Sequence, residues 1–456
     1  MSLPTLPLLE NPSWAAVPSV EVEPGVPRVR VVSMGCKVNQ YEAQLVKEAF
    51  ERQGFEEARA GVAADVCVVN TCTVTGEADS KARQIVRRLA RENPGSRTIV
   101  FGCYAARDRA ALEALPGVVA VVGDNRELPD VLARFGVTNW PGGIARFDGH
   151  RRAFVKVQDG CALKCTYCII PTVRGGLRSR EPEAILEEVG RLVETGYREI
   201  VLTGIHLGHF GVEATRGRSG KTRYRLGHLL SDLDRIPGEW RLRLSSLDPG
   251  EVDGEFLERV GDLERLCPHF HLCLQSGADD VLARMRRRYR AGRFLENVAA
   301  LRGRFERLAL STDVIVGFPG ESDEEFEQTL AVCRAAEVMQ IHAFPFSPRK
   351  GTPAATFPDQ IPGEVKARRM TRLHELERTL AGEYHSGLMG SELSVMLEAS
   401  PSTRSGHIGG TACRFVRVEL PDPGDGRAQA GQLIRVRVTA ATGDDVVGVA
   451  CEERSS

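Results

Sequence analysis

Cys161, Cys165 and Cys168 lie close together in Asp159-Gly160-Cys161-Ala162-Leu163-Lys164-Cys165-Thr166-Tyr167-Cys168-Ile169-Ile170-Pro171. They are three thiols where a closed metal site would want four. Structural zinc is normally tetrahedral and fully ligated by protein. A [4Fe-4S] cluster held by three cysteines instead leaves one iron open to an outside ligand. An open iron can chelate the amino and carboxylate groups of S-adenosylmethionine and pass one electron to its sulfonium. The spacing therefore points to radical chemistry, and a zinc loop or a set of buried thiols is the bland alternative.

A second set of thiols is spread far along the chain. Cys36, Cys72 and Cys103 each come just after a run that reads as a β-strand: 29–33, 64–69 and 98–101. A further strand is expected at 118–122. Helical patterns at 42–53, 78–92 and 126–135 alternate with these runs, stopped by Gly54, Pro94-Gly95 and Gly136. That alternation predicts a parallel, flavodoxin-like sheet, whose strand carboxyl ends are where ligands bind. Three strand ends could bring three thiols to one point, although free cysteine is often only a small buried hydrophobe. Cys67 falls inside its strand and reads as core. Cys267, Cys273, Cys333, Cys413 and Cys451 lack ligand-like spacing.

The alternation restarts after residue 150. Strands are expected at 154–157, 199–202, 241–245, 269–274, 312–316 and 340–344, with amphipathic helices between them. One helix places Ile185, Leu186, Val189, Leu192 and Val193 on one face, with Pro182 in its first turn. Six strand–helix units suggest a partial parallel barrel with its chemistry in the carboxyl-end loops. The triple-cysteine loop follows the first such strand. Past a charged helix at 365–384, the runs 393–397, 414–420 and 433–439 alternate β-formers with polar residues. They predict a small antiparallel barrel.

Composition bounds the rest. A chain of 456 residues suggests about three domains at roughly 150 residues each. The net charge of −1 excludes a uniformly basic nucleic-acid binder, so any RNA contact must be a local patch. Residues 1–27 read as a disordered tail. The 12 cysteines come without a secretory signal, which argues against a disulfide framework and for the reducing cytoplasm. No run nears the roughly 20 apolar residues that span a bilayer, so no membrane partner is expected.

These residues carry a family resemblance that covers nearly everything after residue 28. The chain resembles the methylthiotransferases, radical S-adenosylmethionine enzymes with an amino-terminal second-cluster domain and a carboxyl-terminal TRAM domain. Gly35-Cys36-Lys37-Val38-Asn39-Gln40-Tyr41-Glu42, Gln158-Asp159-Gly160-Cys161 and Leu202-Thr203-Gly204-Ile205-His206-Leu207-Gly208 resemble the branch acting on N6-threonylcarbamoyladenosine in transfer RNA. Leu274-Gln275-Ser276-Gly277 and Thr312-Asp313-Val314-Ile315-Val316-Gly317-Phe318-Pro319-Gly320-Glu321 also match. Two departures are Gly175-Gly176-Leu177, in place of a more polar stretch, and the missing tyrosine in Thr411-Ala412-Cys413-Arg414-Phe415.

The resemblance implies domains at 28–149 (auxiliary cluster), 150–384 (radical barrel with linker helix) and 385–456 (TRAM, OB-like). It implies a second [4Fe-4S] cluster on Cys36, Cys72 and Cys103 that holds or donates sulfur. It also implies a 5′-deoxyadenosyl radical that takes hydrogen from adenine carbon 2 at tRNA position 37, beside the anticodon. An external one-electron donor of flavodoxin or ferredoxin type is expected. Thr203 and Gly204 could offer backbone groups to the methionine end of S-adenosylmethionine. Ser245, Gln275 and Asp313, at later strand ends, are candidates for polar contacts. Tyr167 could pack on adenine or fill the barrel. Arg174, Arg178 and Arg180 follow the cysteine loop and are candidates for the anticodon stem-loop, as is Arg414. Arg287 and Arg288 belong to a run from Arg284 to Arg293 that suits either phosphate contact or a solvated helix face. His206, His209, His269, His271 and His342 follow no metal motif and read as polar or packing residues. The rivals are a methylthiotransferase for isopentenylated adenosine or a ribosomal-protein aspartate, and, from another class, a noncatalytic metal-containing RNA-binding module.

Overall fold

Val66–Thr71 is buried along its whole length, and so are five of six residues in Arg97–Gly102. Strands hidden on both faces need cover on both sides, which is the habit of parallel sheets. The computed structural model describes residues 25–451 except 60, 216–222, 403, 423 and 425–428. Most of the tail expected at 1–27 therefore lies outside the described residues. Compactness divides the chain into two units. The first comprises Met1–Asp148, Gly160–Leu163 and Cys168–Gly176; the second comprises Gly149–Asp159, Lys164–Tyr167 and Leu177–Ser456.

The first unit is built on five parallel strands: β1 (Arg28–Ser33), β2 (Glu56–Glu57), β3 (Val66–Thr71), β4 (Arg97–Gly102) and β5 (Val118–Val122). Their order is β2-β1-β3-β4-β5, the flavodoxin-like order with a switch point between β1 and β3. Helices α1 (Lys37–Glu51), α2 (Gly76–Glu92) and α3 (Cys103–Arg107) follow β1, β3 and β4. Ala82, Val86 and Leu89 form the buried stripe of α2, at helical spacing. Thr75 caps that helix, its hydroxyl oxygen accepting from the Ala78 N–H at 3.1 Å. One core contains Val46, Phe50, Val68 and Phe101; another contains Val69, Val86, Leu89 and Val100. Cys67 is fully buried in the second core, as expected of a strand-interior thiol.

In the second unit, β6 (Arg152–Asp159), β7 (Arg178–Ser179), β8 (Glu199–Gly204) and β9 (Arg241–Leu244) form one sheet in the order β7-β6-β8-β9. Strands β10 (His269–His271), β11 (Ala309–Val316) and β12 (Gln340–Pro345) form another. Parallel bridges Leu242–Leu266 and Leu247–Leu272 connect the segments around β9 and β10. Apart from the short antiparallel β7, all pairing is parallel, which gives the six-stranded partial barrel read from the sequence. The helix Pro182–Glu194 begins at its proline and buries Ile185, Val189, Leu192 and Val193.

The closing barrel has strands β13 (Glu392–Pro401), β14 (His407–Ala412), β15 (Arg417–Pro421), β16 (Leu433–Ala441) and β17 (Val446–Ala450), in the cyclic order β13-β14-β15-β17-β16. It is antiparallel except for the β15–β17 pair, a departure from the all-antiparallel expectation. Glu199, fully buried on β8, anchors the arginines that reach this barrel. The Arg243 Nε donates to it at 2.9 Å and the Arg241 Nε at 2.6 Å. The same guanidinium groups donate to backbone oxygens of Ser394, Thr411, Ala412 and Cys413.

Candidate active site

Cys36 stands at the N-cap of α1 and Cys103 is the first residue of α3. The residue before each is a glycine in the left-handed region, Gly35 at φ 97° and Gly102 at φ 96°. The close fit explains the choice. A Cβ on Gly35 would lie 2.7 Å from the Cys72 Cβ, and one on Gly102 would lie 2.4 Å from the Asn70 Oδ1. Glycine thus lets the turns after β1, β3 and β4 crowd together. The Cys36 thiol donates to the Asn39 Oδ1 at 3.3 Å, Arg174 donates both to that oxygen and to the Cys103 sulfur, and a Cβ on Gly35 would lie 3.0 Å from the Cys72 sulfur. The three thiols thus share one neighbourhood at the carboxyl ends of β1, β3 and β4.

Burial pushes the Cys72 thiol up, opposed by the backbone N–H groups of Val74 and Thr73. It pushes Cys103 up to about 11, opposed by the Arg174 guanidinium. Such thiols stay protonated until a metal takes the proton's place. Their surroundings fit an iron–sulfur cluster: soft sulfur donors, N–H groups aimed at sulfur and an apolar wall from Ile169 and Val173 beside Cys103.

The other three cysteines lie in the loop between β6 and the short helix Ile170–Val173. In the first unit, the Cys161 sulfur accepts the Leu163 N–H at 3.4 Å, and the Cys161 N–H donates to the Gly175 oxygen at 3.3 Å. A Cβ on Gly160 would fall 1.9 Å from the Gly176 oxygen, so the loop can close there only through glycine. In the second unit, the buried Cys165 sulfur accepts from the Arg287 guanidinium at 3.4 Å. All six cysteines are free thiols. Three thiols at this spacing are one short of a closed zinc site and are the number that leaves one iron of a cluster open.

Thr203, Gly204, Ser245 and Gln275 sit at or just past strand ends of the second unit, whereas Asp313, expected at a strand end, lies inside β11 paired with His342. Thr203 and Gly204 end β8, where a Cβ on Gly204 would lie 3.0 Å from the Gln158 Oε1. Ser245 follows β9 with its hydroxyl buried and without a hydrogen bond among the described residues. Gln275 holds φ 64°, its N–H donating to the Asp313 oxygen at 2.8 Å. A left-handed glutamine costs energy and marks a strained strand end. Burial alone would raise Asp313, but the His271 hydrogen bond, together with the His271 and His342 charges, leaves its carboxyl below the usual range. Tyr167, partly buried, packs with Ala278, Met285 and Phe318.

The arginines part company. Arg174 is buried in the first unit, on Glu42, Asn39 and Cys103. In the second unit, Arg180 binds Glu188 at 2.5 Å and the Lys156 oxygen at 2.8 Å. Arg178 lies 3.5 Å from Asp159. Arg287 pairs with Asp248 and lies over the Tyr289 ring. Arg414 donates to backbone oxygens of Arg307 and Glu306. Arg288 is exposed, as are Arg286, Arg290 and Arg293. Spacing alone did not reveal two polar groups. His206 and His209, after β8, meet Glu251, after β9, and His271 on β10 meets Cys273 just past it and Asp313 within β11. Only the three-residue step from His206 to His209 hinted at the first.

Residues 155–333 match the Radical SAM superfamily, and residues 28–123 match the Uncharacterized protein family UPF0004. The threonylcarbamoyladenosine tRNA methylthiotransferase MtaB of Bacillus subtilis (strain 168) is 39% identical over 384 residues, covering 80% of this chain and 84% of that one. The chain belongs to the radical SAM methylthiotransferases. As a member, it uses an iron–sulfur cluster and S-adenosylmethionine. The family also includes the tRNA-2-methylthio-N(6)-dimethylallyladenosine synthase 1 of Mycobacterium marinum, 34% identical over 442 residues, with 90% of this chain and 83% of that one covered. In fold, the chain is similar to the radical S-adenosylmethionine methyltransferase TsrM of Kitasatospora setae. That match has a TM-score of 0.54 at 14% identity over 72% of this chain and 76% of that one. No helix among the described residues is long and apolar enough to cross a membrane.

Proposed function

We propose that this methylthiotransferase acts on N6-threonylcarbamoyladenosine at position 37 of tRNA and places a methylthio group on carbon 2 of the adenine. The observation that carries this reading is the meeting of Cys36, Cys72 and Cys103 at one sheet edge, in a chain that has a separate triple-cysteine loop. Two three-thiol sites suit a reaction needing both an activated carbon and a sulfur source. Likeness to the Bacillus subtilis relative favours the threonylcarbamoyl substrate. When bound, a cluster on Cys161, Cys165 and Cys168 with S-adenosylmethionine supplies one-electron cleavage and hydrogen abstraction, and a second cluster on the other three cysteines supplies sulfur.

The chain's own part is to hold and to shield. Thr203, Gly204, Ser245 and Gln275, at or just past strand ends, and Asp313, within β11, carry polar atoms that can orient the cofactor. Asp313 stays ionised, ready to accept hydrogen bonds from a ribose or an ammonium. Arg288 and its exposed neighbours offer charge to the phosphates of an anticodon stem-loop. A base splayed from a single-stranded loop is the form in which proteins usually read RNA sequence. A one-electron donor of flavodoxin or ferredoxin type completes the cycle.

The Mycobacterium marinum relative motivates the second reading, an isopentenylated adenosine substrate. Nucleoside mass spectrometry of a deletion strain separates the two. Loss of 2-methylthio-N6-threonylcarbamoyladenosine is expected, and loss of the isopentenyl product instead overturns the substrate assignment.

A further inference from the structure

Arg174 comes six residues after Cys168, yet its guanidinium is buried against residues of the flavodoxin-like sheet. Its Nε donates to the Cys103 sulfur at 3.1 Å. One terminal nitrogen donates to Glu42 at 2.5 Å and the other to the Asn39 Oδ1 at 2.7 Å. Asn39 is itself fixed, its amide donating to the Asn70 Oδ1 at 3.0 Å and to the Thr71 oxygen at 3.1 Å. Each of the three nitrogens of this planar fork thus donates to a group beside the thiols: Cys103 itself, or Asn39 and Glu42 on the helix that Cys36 caps. The same loop adds Ile169 and Val173, which pack on Cys103.

We propose that Arg174 is a positioning residue of the Cys36–Cys72–Cys103 site, setting the reduction potential of the cluster bound there and fastening the segment after Cys168 to it. This rests on the reading that those thiols hold a second cluster. The physical ground is simple. An N–H bond to a ligand sulfur and a nearby positive charge both favour the reduced, more negative cluster. Glu42 partly offsets that charge, so the two residues pull the potential in opposite directions. A packing role alone would not produce opposite signs.

The test uses the full chain carrying Cys161→Ala, Cys165→Ala and Cys168→Ala, reconstituted without oxygen using iron and sulfide, so that only the second site can load. It should hold about four irons per chain. A dithionite titration followed by electron paramagnetic resonance then reads the one-electron midpoint. Arg174→Gln should disfavour reduction at least tenfold, a fall of about 59 mV. Glu42→Gln should shift it upward, and Arg174→Lys should fall between Gln and the parent. If Arg174→Gln does not accumulate, the upward shift of Glu42→Gln and the partial shift of Arg174→Lys decide. Four irons with midpoints all within twofold of the parent would overturn the role of Arg174 alone. A triple variant that binds no iron overturns the second-cluster reading and this inference with it.

Discussion

Replacing Gly35 by alanine tests how the second site is assembled. Gly35 sits at φ 97°, where a side chain is strained, and its new Cβ would lie 2.7 Å from the Cys72 Cβ and 3.0 Å from the Cys72 sulfur. A residue with a side chain in that backbone region costs about 1–3 kcal/mol. Overpacking a well-filled site costs about 1–3 kcal/mol more. The sum, about 2–6 kcal/mol, is below or near the stability of an ordinary domain, so a substantial folded fraction should remain. The nearest relief is to push Cys72 away from Cys36, which spoils the spacing of the ligands. Iron and sulfide analysis after anaerobic reconstitution should therefore fall from about eight irons towards about four. Reductive cleavage of S-adenosylmethionine should persist while methylthiolated RNA is lost. Gly54→Ala is the control, because Gly54 has φ 83° but nothing within 4 Å of a new Cβ. It bears the strain without the collision and should keep its iron. If Gly35→Ala matches Gly54→Ala in iron and product, crowding of the thiol-bearing turns does not shape the site.

Removing the Glu199 carboxylate with Glu199→Ala strands the buried Arg241 and Arg243 charges and should cost about 3–5 kcal/mol in urea unfolding; a loss below about 1 kcal/mol would contradict the picture. Burial raises the Glu199 pKa, but its arginines overcome that and hold it well below the ordinary 4.5. Its contribution is thus fully present above that value and is lost as pH falls below it, which unfolding curves at pH 6 and at lower pH should show by comparison with Glu199→Ala. Asp313→Asn should weaken S-adenosylmethionine binding by about tenfold in equilibrium dialysis, on the order of one lost charged hydrogen bond; unchanged affinity removes Asp313 from the cofactor contacts. Arg288→Ala should weaken tRNA binding and reduce the salt slope by about 0.9 if it neutralises one duplex phosphate; an unchanged slope would leave Arg288 a solvated surface group.

The large periodicities were legible in the sequence. Buried apolar runs marked β3 and β4, Pro182 marked a helix start, and six strand–helix units marked the partial barrel. The elements that escaped are those whose residues answer to neighbours distant in sequence. Strand β14 is His-Ile-Gly-Gly-Thr-Ala, a poor strand by propensity. Its Gly410 is demanded by packing, because a Cβ there would lie 2.6 Å from a Val395 methyl carbon. Gly448 in β17 is placed the same way against Val436. Cysteine spacing exposed the triple loop and strand-end placement suggested the other thiols, whereas the destination of Arg174 was hidden. An arginine just after a cysteine loop reads as a contact for an anionic ligand, and only the fold reveals Glu42, Asn39 and Cys103 around it. The meeting of His206 and His209 with Glu251 was hidden for the same reason.

The C-terminal barrel is held partly through peptide oxygens: Arg241 and Arg243 reach those of Ser394, Thr411, Ala412 and Cys413 in the barrel, and the barrel's own Arg414 reaches those of Glu306 and Arg307. A peptide oxygen is the same whatever residue bears it. That part of the seam needs only the guanidinium groups and the local backbone path, whereas Arg152 on Glu398 and Thr411, and Phe415 under Arg243, tie it through particular side chains.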